Sequence, residues 1–329
     1  MMSTDQIQAG TYVKGIWIRQ DPKHAPDVVI YYVNGMHIMV VNSVPRSSKL
    51  MNYIKTHQGG GFALGSCHFY LEFLLAWHHL LVNAGYKNPA IFALEYTLVP
   101  EATYPTQVSE TMLGWKHALQ MVNGDGSRIC VAGDSAGGTL ILSLLLQLGA
   151  QGGSSGSTAQ SLQDGPMSSN AGIVMPQLAV LISPWVTLTT KLHHPSKTDY
   201  LNRDTLWQYA HAYAGSAMIN QPPASPGACV DEKSWLAASP RGGYVVFVGQ
   251  EEVLAPDIEN FVEHQTRMKV RIKTLRMEKG VHAWPIAAMY LATSVDLRLH
   301  WLKVMTNEIS LLIPVEASEK EERTAAFSD

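Results

Sequence analysis

Residues 128–148 read R-I-C-V-A-G-D-S-A-G-G-T-L-I-L-S-L-L-L-Q-L, and the fold of the chain turns on them. Residues 129–132 are a short apolar run bounded by turn residues, the mark of a buried strand. The apolar run after Gly138 contains no proline and is long enough for several turns of buried helix. Between the two sits Gly133-Asp134-Ser135-Ala136-Gly137, a G-x-S-x-G. In a sharp strand-to-helix turn, flanking glycines let the backbone pack closely while the serine hydroxyl is lifted out at the sheet edge. The amides at the start of the following helix point at the same spot, so negative charge developing there is stabilised. Chance alone supplies G-x-S-x-G in many chains. Its flanking strand and helix make Ser135 a candidate nucleophile that still needs a base, an acid and an oxyanion hole.

Working outward, 329 residues with 46% hydrophobic content suit one large α/β domain or two smaller ones with an ample core. A formal net charge of −3 and no basic run argue against a nucleic-acid partner. Cys67, Cys130 and Cys229 are too few and too scattered for a disulfide framework or a C-x-x-C metal site, and they read as reduced thiols of a cytoplasmic protein. No apolar stretch reaches membrane-spanning length, and the N-terminus has no signal-peptide pattern.

Strand-like and helix-like segments alternate. Residues 11–19 and 27–33 read as strands, the second rich enough in β-branched and aromatic residues to be central. Residues 66–84 carry apolar residues at helical spacing and end at Gly85; His78 and His79 on that helix read as surface or packing residues. Strands are expected at 89–98, 177–185, 243–249 and 270–276. Helices are expected at 109–122, 204–214, 255–267 and 285–305. This alternation predicts a mostly parallel sheet with helices on both faces, forming a single domain over residues 1–313. Residues 34–57 show no clean period. Residues 149–171 are rich in Gly, Ser and Gln and read as a flexible loop, residues 186–239 as an excursion shaping a cleft, and residues 314–329 as a disordered tail.

The chemistry then assembles in chain order. Ser135 lies at one strand end, a carboxylate (Glu251 or Glu252) follows the strand at 243–249, and His282 follows the last strand. Serine, acid, histidine is the order this motif has in α/β-hydrolases. A hydroxyl is a weak nucleophile at neutral pH and needs a base, and the base needs a carboxylate to hold its tautomer. The run Gly59-Gly60-Gly61 exposes backbone amides, which suits an oxyanion hole or a flexible turn.

These motifs resemble the hormone-sensitive-lipase-like branch of the α/β-hydrolases in its fungal esterase form. The family's H-G-G-G-F is resembled by residues 58–62 (Q-G-G-G-F), its Y-R-L-A-P-E by residues 96–101 (Y-T-L-V-P-E), and its G-D-S-A-G-G and S-P-W are matched by residues 133–138 and 183–185. The resemblance runs over residues 13–305 and implies an α/β-hydrolase fold. It implies Ser135 as nucleophile, Glu252 as acid, His282 as base, and the amides of Gly60, Gly61 and Ala136 as the oxyanion hole. Glu252 is preferred over Glu251 because the family's acid stands two places before a leucine, here Leu254; Asp257 is a third choice. Asp134 is expected to be structural. The implied activity is hydrolysis of a short acyl ester of a larger apolar alcohol, as in fungal deacetylases and secondary metabolism, with no cofactor or metal.

Three departures stand out. Residues 34–57 intervene before the glycine motif, as a genuine insertion or a translated intron that inactivates the product. Gln58 replaces the motif's histidine with His57 one place earlier, and Thr97 replaces its arginine. The segment before Val13 is short, which implies a reduced N-terminal cap. The alternative reading is a non-catalytic ligand-binding member of the fold, like the plant gibberellin receptors, which depart from the triad at the histidine that His282 supplies here.

Overall fold

The computed structural model describes residues 2–4, 13–35, 66–153 and 173–315. The glycine motif at 58–62, with Gly60 and Gly61, and most of the 34–57 insertion lie outside the described residues. So do residues 154–172 of the Gly/Ser-rich stretch and residues 316–329 of the tail.

Among the described residues, eight strands form one sheet: β1 (Met2–Thr4), β2 (Gly15–Arg19), β3 (Val28–Val33), β4 (Pro89–Leu94), β5 (Ile129–Asp134), β6 (Leu178–Ile182), β7 (Tyr244–Gly249) and β8 (Ile272–Met277). Their order is β1-β2-β4-β3-β5-β6-β7-β8. Strands β3 to β8 pair in parallel, while β2 is antiparallel to both β1 and β4. The chain steps from β3 outward to β4, then returns across β3 to β5. The order therefore reverses beside β3 and opens a crevice at the carboxyl ends of these strands, the usual ligand position in such sheets.

Every residue of β3, β4, β5, β6 and β7 is buried, as a sheet covered on both faces requires. Side chains alternate between two cores. Val29, Tyr31, Val33, Val131 and Leu181 pack with Trp115, Leu140, Leu144 and Phe261, carried by α2 (Thr106–Met121), α3 (Ser135–Gly153) and α6 (Ala255–Arg267). Val28, Ile30, Tyr32, Cys130, Val180 and Phe247 face the other way, onto Phe73, Trp77, Leu302 and Met305 of α1 (Leu71–Asn83) and α8 (Val295–Leu312). Burying one such side chain contributes roughly 1.5–3 kcal/mol. A one-residue slip of any central strand would exchange its two faces.

The mostly parallel sheet and two-sided helices agree with the sequence reading, and α6 has the expected bounds. Three expectations need correction. The helix expected over 285–305 is two helices, α7 (Trp284–Leu291) and α8, because Ser294 takes an extended backbone and its hydroxyl caps Leu297 N. The strand expected over 89–98 ends at Leu94, where the chain turns and Glu95 reaches back to accept from Cys67 N (2.7 Å). Gly149 does not begin a loop: α3 continues to Gly153, and a Cβ on Gly149 would lie 2.7 Å from the backbone of α5 (Glu232–Ala238), so this glycine permits a close helix crossing. The excursion at 186–239 is partly ordered as α4 (Arg203–Met218) and α5.

Candidate active site

Strand β5 runs directly into α3 with no linker, so Ser135 sits at the corner itself, in a left-handed conformation (φ 49°). Left-handed backbone disfavours a residue with a Cβ, so surrounding contacts must hold it. Those contacts are backbone to backbone. A Cβ on Gly137 would lie 1.9 Å from the Val33 carbonyl oxygen, one on Gly35 1.9 Å from the Asp134 carbonyl oxygen, and one on Gly133 2.7 Å from Gly137. The glycines of the motif thus let the end of β3, the turn and the first turn of α3 touch directly.

The S-P-W segment after β6 supports the same corner. Trp185 N donates to Ser135 O (2.9 Å), Thr139 Oγ1 donates back to Trp185 O, and Pro184 packs where a Gly138 side chain would stand. Asp134 turns away from Ser135 into the sheet, accepting from Tyr32 OH (2.6 Å), Tyr70 OH (2.9 Å) and Gly35 N (3.1 Å). Burial holds its carboxyl above the ordinary aspartate range against these donors. Its place is structural, as expected.

Glu252 lies on the turn after β7, and His282 on the turn after β8. Both side chains are fully buried. Gly249 N donates to Glu252 Oε1 (2.9 Å), and His282 Nδ1 donates to Glu252 Oε2 (2.7 Å). With a carboxylate as partner, Nδ1 carries the proton and Nε2 keeps a free lone pair. Burial disfavours the imidazolium, but the hydrogen bond and charge of Glu252, with the charges of Asp199 and Asp134, outweigh it and hold His282 above the ordinary histidine pKa.

The other two candidate acids go elsewhere. Glu251 is partly exposed and its amide donates to Gly280 O, while Asp257 accepts from Thr187 N (2.8 Å) and Thr187 Oγ1 (2.9 Å). Ser135 Oγ and His282 Nε2 are both buried without a hydrogen-bond partner. Two such unpaired atoms are costly in a folded protein and are expected where a reacting group is to be received. Ala136, fully buried at the second position of α3, has an amide among the helix's first four, which lack an intrahelical acceptor.

Several residues of this region were not legible in the sequence. Ser183 is left-handed (φ 46°) and its Oγ accepts from Ala283 N (2.9 Å), fixing the backbone just after His282. Asp199 accepts from Val253 N (2.8 Å) and His282 N (3.1 Å), and Tyr200 OH donates to His282 O (2.9 Å). The excursion at 186–239 therefore reaches His282. Thr97, which replaces the expected arginine, donates through Oγ1 to Glu110 Oε1 (2.6 Å), a different anchor for the same loop. Among the described residues, Cys67, His68 and Glu95 bring donor atoms within 4.8 Å of one another. Glu95 there already accepts from Cys67 N and Ser66 Oγ, as the anchor of a helix start. No helix among the described residues is long and apolar enough to cross a membrane.

Comparison with known proteins places the sequence in context. A family model described as alpha/beta hydrolase fold matches residues 54–286. The Schizosaccharomyces pombe protein mug81, which carries the name of a steryl acetyl hydrolase, is 27% identical over 254 residues, 74% of this chain and 61% of that protein. An acetyl-hydrolase of Streptomyces hygroscopicus is 27% identical over 231 residues, 69% of this chain and 66% of its own length. Mouse hormone-sensitive lipase is 32% identical over 114 residues, 34% of this chain but 14% of the lipase. Among solved structures, the hormone-sensitive-lipase homologue EstE7 from a metagenome library superposes with a TM-score of 0.65 at 21% identity, over 95% of this chain and 87% of that one.

Proposed function

Because the chain belongs to the α/β-hydrolase fold family, we propose that it is a serine hydrolase of carboxylic esters of the hormone-sensitive-lipase-like branch, working through Ser135, His282 and Glu252. The observation that carries this reading is the buried Glu252–His282 pair at 2.7 Å, with Nε2 and Ser135 Oγ both buried and unpaired after the carboxyl ends of strands of the same parallel sheet. In the proposed reaction His282 Nε2 takes the Ser135 proton as Oγ attacks the ester carbonyl. The Ala136 amide, with those of Gly60 and Gly61, receives the oxyanion. His282 then returns the proton to the leaving alcohol, and a water activated by the same base releases the acyl group. Glu252 holds the Nδ1–H tautomer throughout and stabilises the imidazolium.

Acetyl or another short acyl group on a larger apolar alcohol is the substrate class this reading favours, supported by the names of the yeast and Streptomyces relatives; a role in secondary metabolism belongs to the same reading. We read residues 1–313 as one catalytic domain. A cytoplasmic location fits its three free cysteines.

The test is labelling of the purified chain with a fluorophosphonate probe beside Ser135→Ala, with thermal unfolding of both. The expected result is labelling of the parent and none of the variant. A parent that unfolds cooperatively yet takes no label, or a variant that still labels, overturns the assignment.

A further inference from the structure

Within the 186–239 excursion, the dipeptide Asp199-Tyr200 reaches His282. Ser196 Oγ accepts from Thr198 N (3.2 Å) and Asp199 N (3.0 Å), which forms a small turn and presents the Asp199 side chain inward. Its Oδ2 accepts from Val253 N, the residue after Glu252, and its Oδ1 accepts from the amide of His282 itself. Next along, Tyr200 OH donates to His282 O, and its ring stands edge-on to the imidazole at 6.0 Å. Nearby, His194 N donates to Val253 O (3.3 Å). The backbone of His282 is thus held on both its amide and its carbonyl by adjacent residues of a segment 82–83 positions earlier.

We propose that Asp199 is a positioning residue for the base: its two carboxylate oxygens lock the loop carrying His282 to the turn carrying Glu252. This rests on the hydrolase reading above. Without the bridge, the loop after β8 and the turn after β7 remain joined by the Glu252–His282 hydrogen bond itself, by Gln250 N to Met277 O and Glu251 N to Gly280 O, and by the close approach of Gly249 to Gly280, all of which lie before His282 or on its side chain and none on its amide. The His282 backbone then keeps Tyr200 OH on its carbonyl and Ser183 Oγ on the following amide, but its own amide loses its acceptor and the imidazole loses the tie that fixes its loop to the Glu252 turn. Misplacing a catalytic group by about 1 Å costs up to about a hundredfold in rate.

Asp199 also contributes charge. The groups facing His282 are Glu252 from the β7 turn, Asp134 from the end of β5, and Asp199 and Tyr200 from the excursion. The Asp199 charge favours the imidazolium, so its removal moves the titration of the base to lower pH. Asn at this position can accept from one backbone amide but turns an NH2 group toward the other, so it loses both the charge and half of the bridge.

The experiment compares kcat and KM for p-nitrophenyl acetate from pH 5 to 9 in the parent, Asp199→Asn and Asp199→Ala, with thermal unfolding of each. The expected result for Asp199→Asn is kcat reduced about tenfold, KM within about twofold, and a rising limb displaced to lower pH; Asp199→Ala falls about a hundredfold. An active parent with an Asn variant whose limb does not move overturns the proposal, including where the rate drops equally at every pH alongside a lowered Tm, which is the pattern of a purely structural contact. An inactive, well-folded parent overturns the hydrolase reading, and this inference with it. If Asp199→Ala does not fold, Asp199→Asn alone decides.

Discussion

Replacing Glu252 by Gln changes one oxygen to NH2 with almost no change in shape, and the surrounding backbone dictates which way the amide turns. Gly249 N–H points at Oε1 from 2.9 Å. If the new NH2 group faced Gly249, two donors would oppose each other in a fully buried site, at a cost of about 1–3 kcal/mol. The oxygen therefore stays on the Gly249 side and the NH2 group takes the place of Oε2, facing His282 Nδ1. A ring nitrogen met by a donor must accept, so the neutral imidazole moves its proton to Nε2. Nε2 then has no lone pair for the Ser135 proton. The analogous acid-to-amide change in serine proteases lowers kcat by roughly 10⁴, close to 5 kcal/mol of transition-state stabilisation. We expect a loss of that order here, with folding intact, because packing and the Gly249 hydrogen bond survive. The assay is kcat on p-nitrophenyl acetate together with the rate of fluorophosphonate labelling, each beside a thermal unfolding curve. A Glu252→Gln variant that keeps more than about a tenth of the parental kcat while unfolding like the parent would refute the tautomer argument.

The pH dependence and the glycine contacts give three further outcomes. Activity needs neutral His282, and its pKa is raised, so the rate should fall as pH drops through a midpoint above the ordinary histidine value of about 6.5; a rising limb centred below that value in kcat/KM contradicts the electrostatics assigned to Glu252, Asp199 and Asp134. Gly137→Ala forces a Cβ against the Val33 carbonyl, where C···O contacts run about 3.3 Å or more, and should destabilise by roughly 3 kcal/mol and lower the Tm by several degrees. Gly152→Ala, whose Cβ would meet nothing nearer than Ile173 Cδ1 at 4.0 Å among the described residues, should by contrast be neutral or stabilising by up to about 1 kcal/mol. Equal Tm values for the two variants would sink the close-contact account of the elbow.

The sheet was legible because its signals are local. Residues 28–33 and 129–132 are apolar or aromatic on both faces, and a strand covered on both faces needs that whatever its neighbours are. The corner was legible because G-D-S-A-G-G encodes a backbone-to-backbone contact that only glycine permits. The split between α7 and α8 had a readable signal in Ser294-Val295-Asp296, a capping serine with an acidic residue in the first turn, but the apolar positions on either side continue the helical period across it. The strand end at Leu94 had no such mark: residues 95–98 remain β-compatible, and the chain leaves the sheet because Glu95 is recruited by Cys67 N from a distant helix start. The residue types alone left Glu251, Glu252 and Asp257 open, since all three follow the same strand; the family pattern pointed to Glu252, and of the three it is Glu252 whose carboxylate meets His282. Asp199 carried no local signal at all. It is one acid in an irregular segment, and its role exists only through backbone amides 54 and 83 residues further along the chain.

Those separations bear on when, during folding, the protein becomes competent. The bridge from Asp199 joins the segment after β6 to the turns after β7 and β8, so it can close only once all three strands have entered the sheet. Contacts between residues so far apart in sequence carry a large loop-closure entropy and form late. A chain can thus hold most of its helices and its central strands while its base still lacks a fixed position. Secondary structure and a working site are separate events in the history of this molecule, and the second waits on the edge of the sheet that is synthesised last.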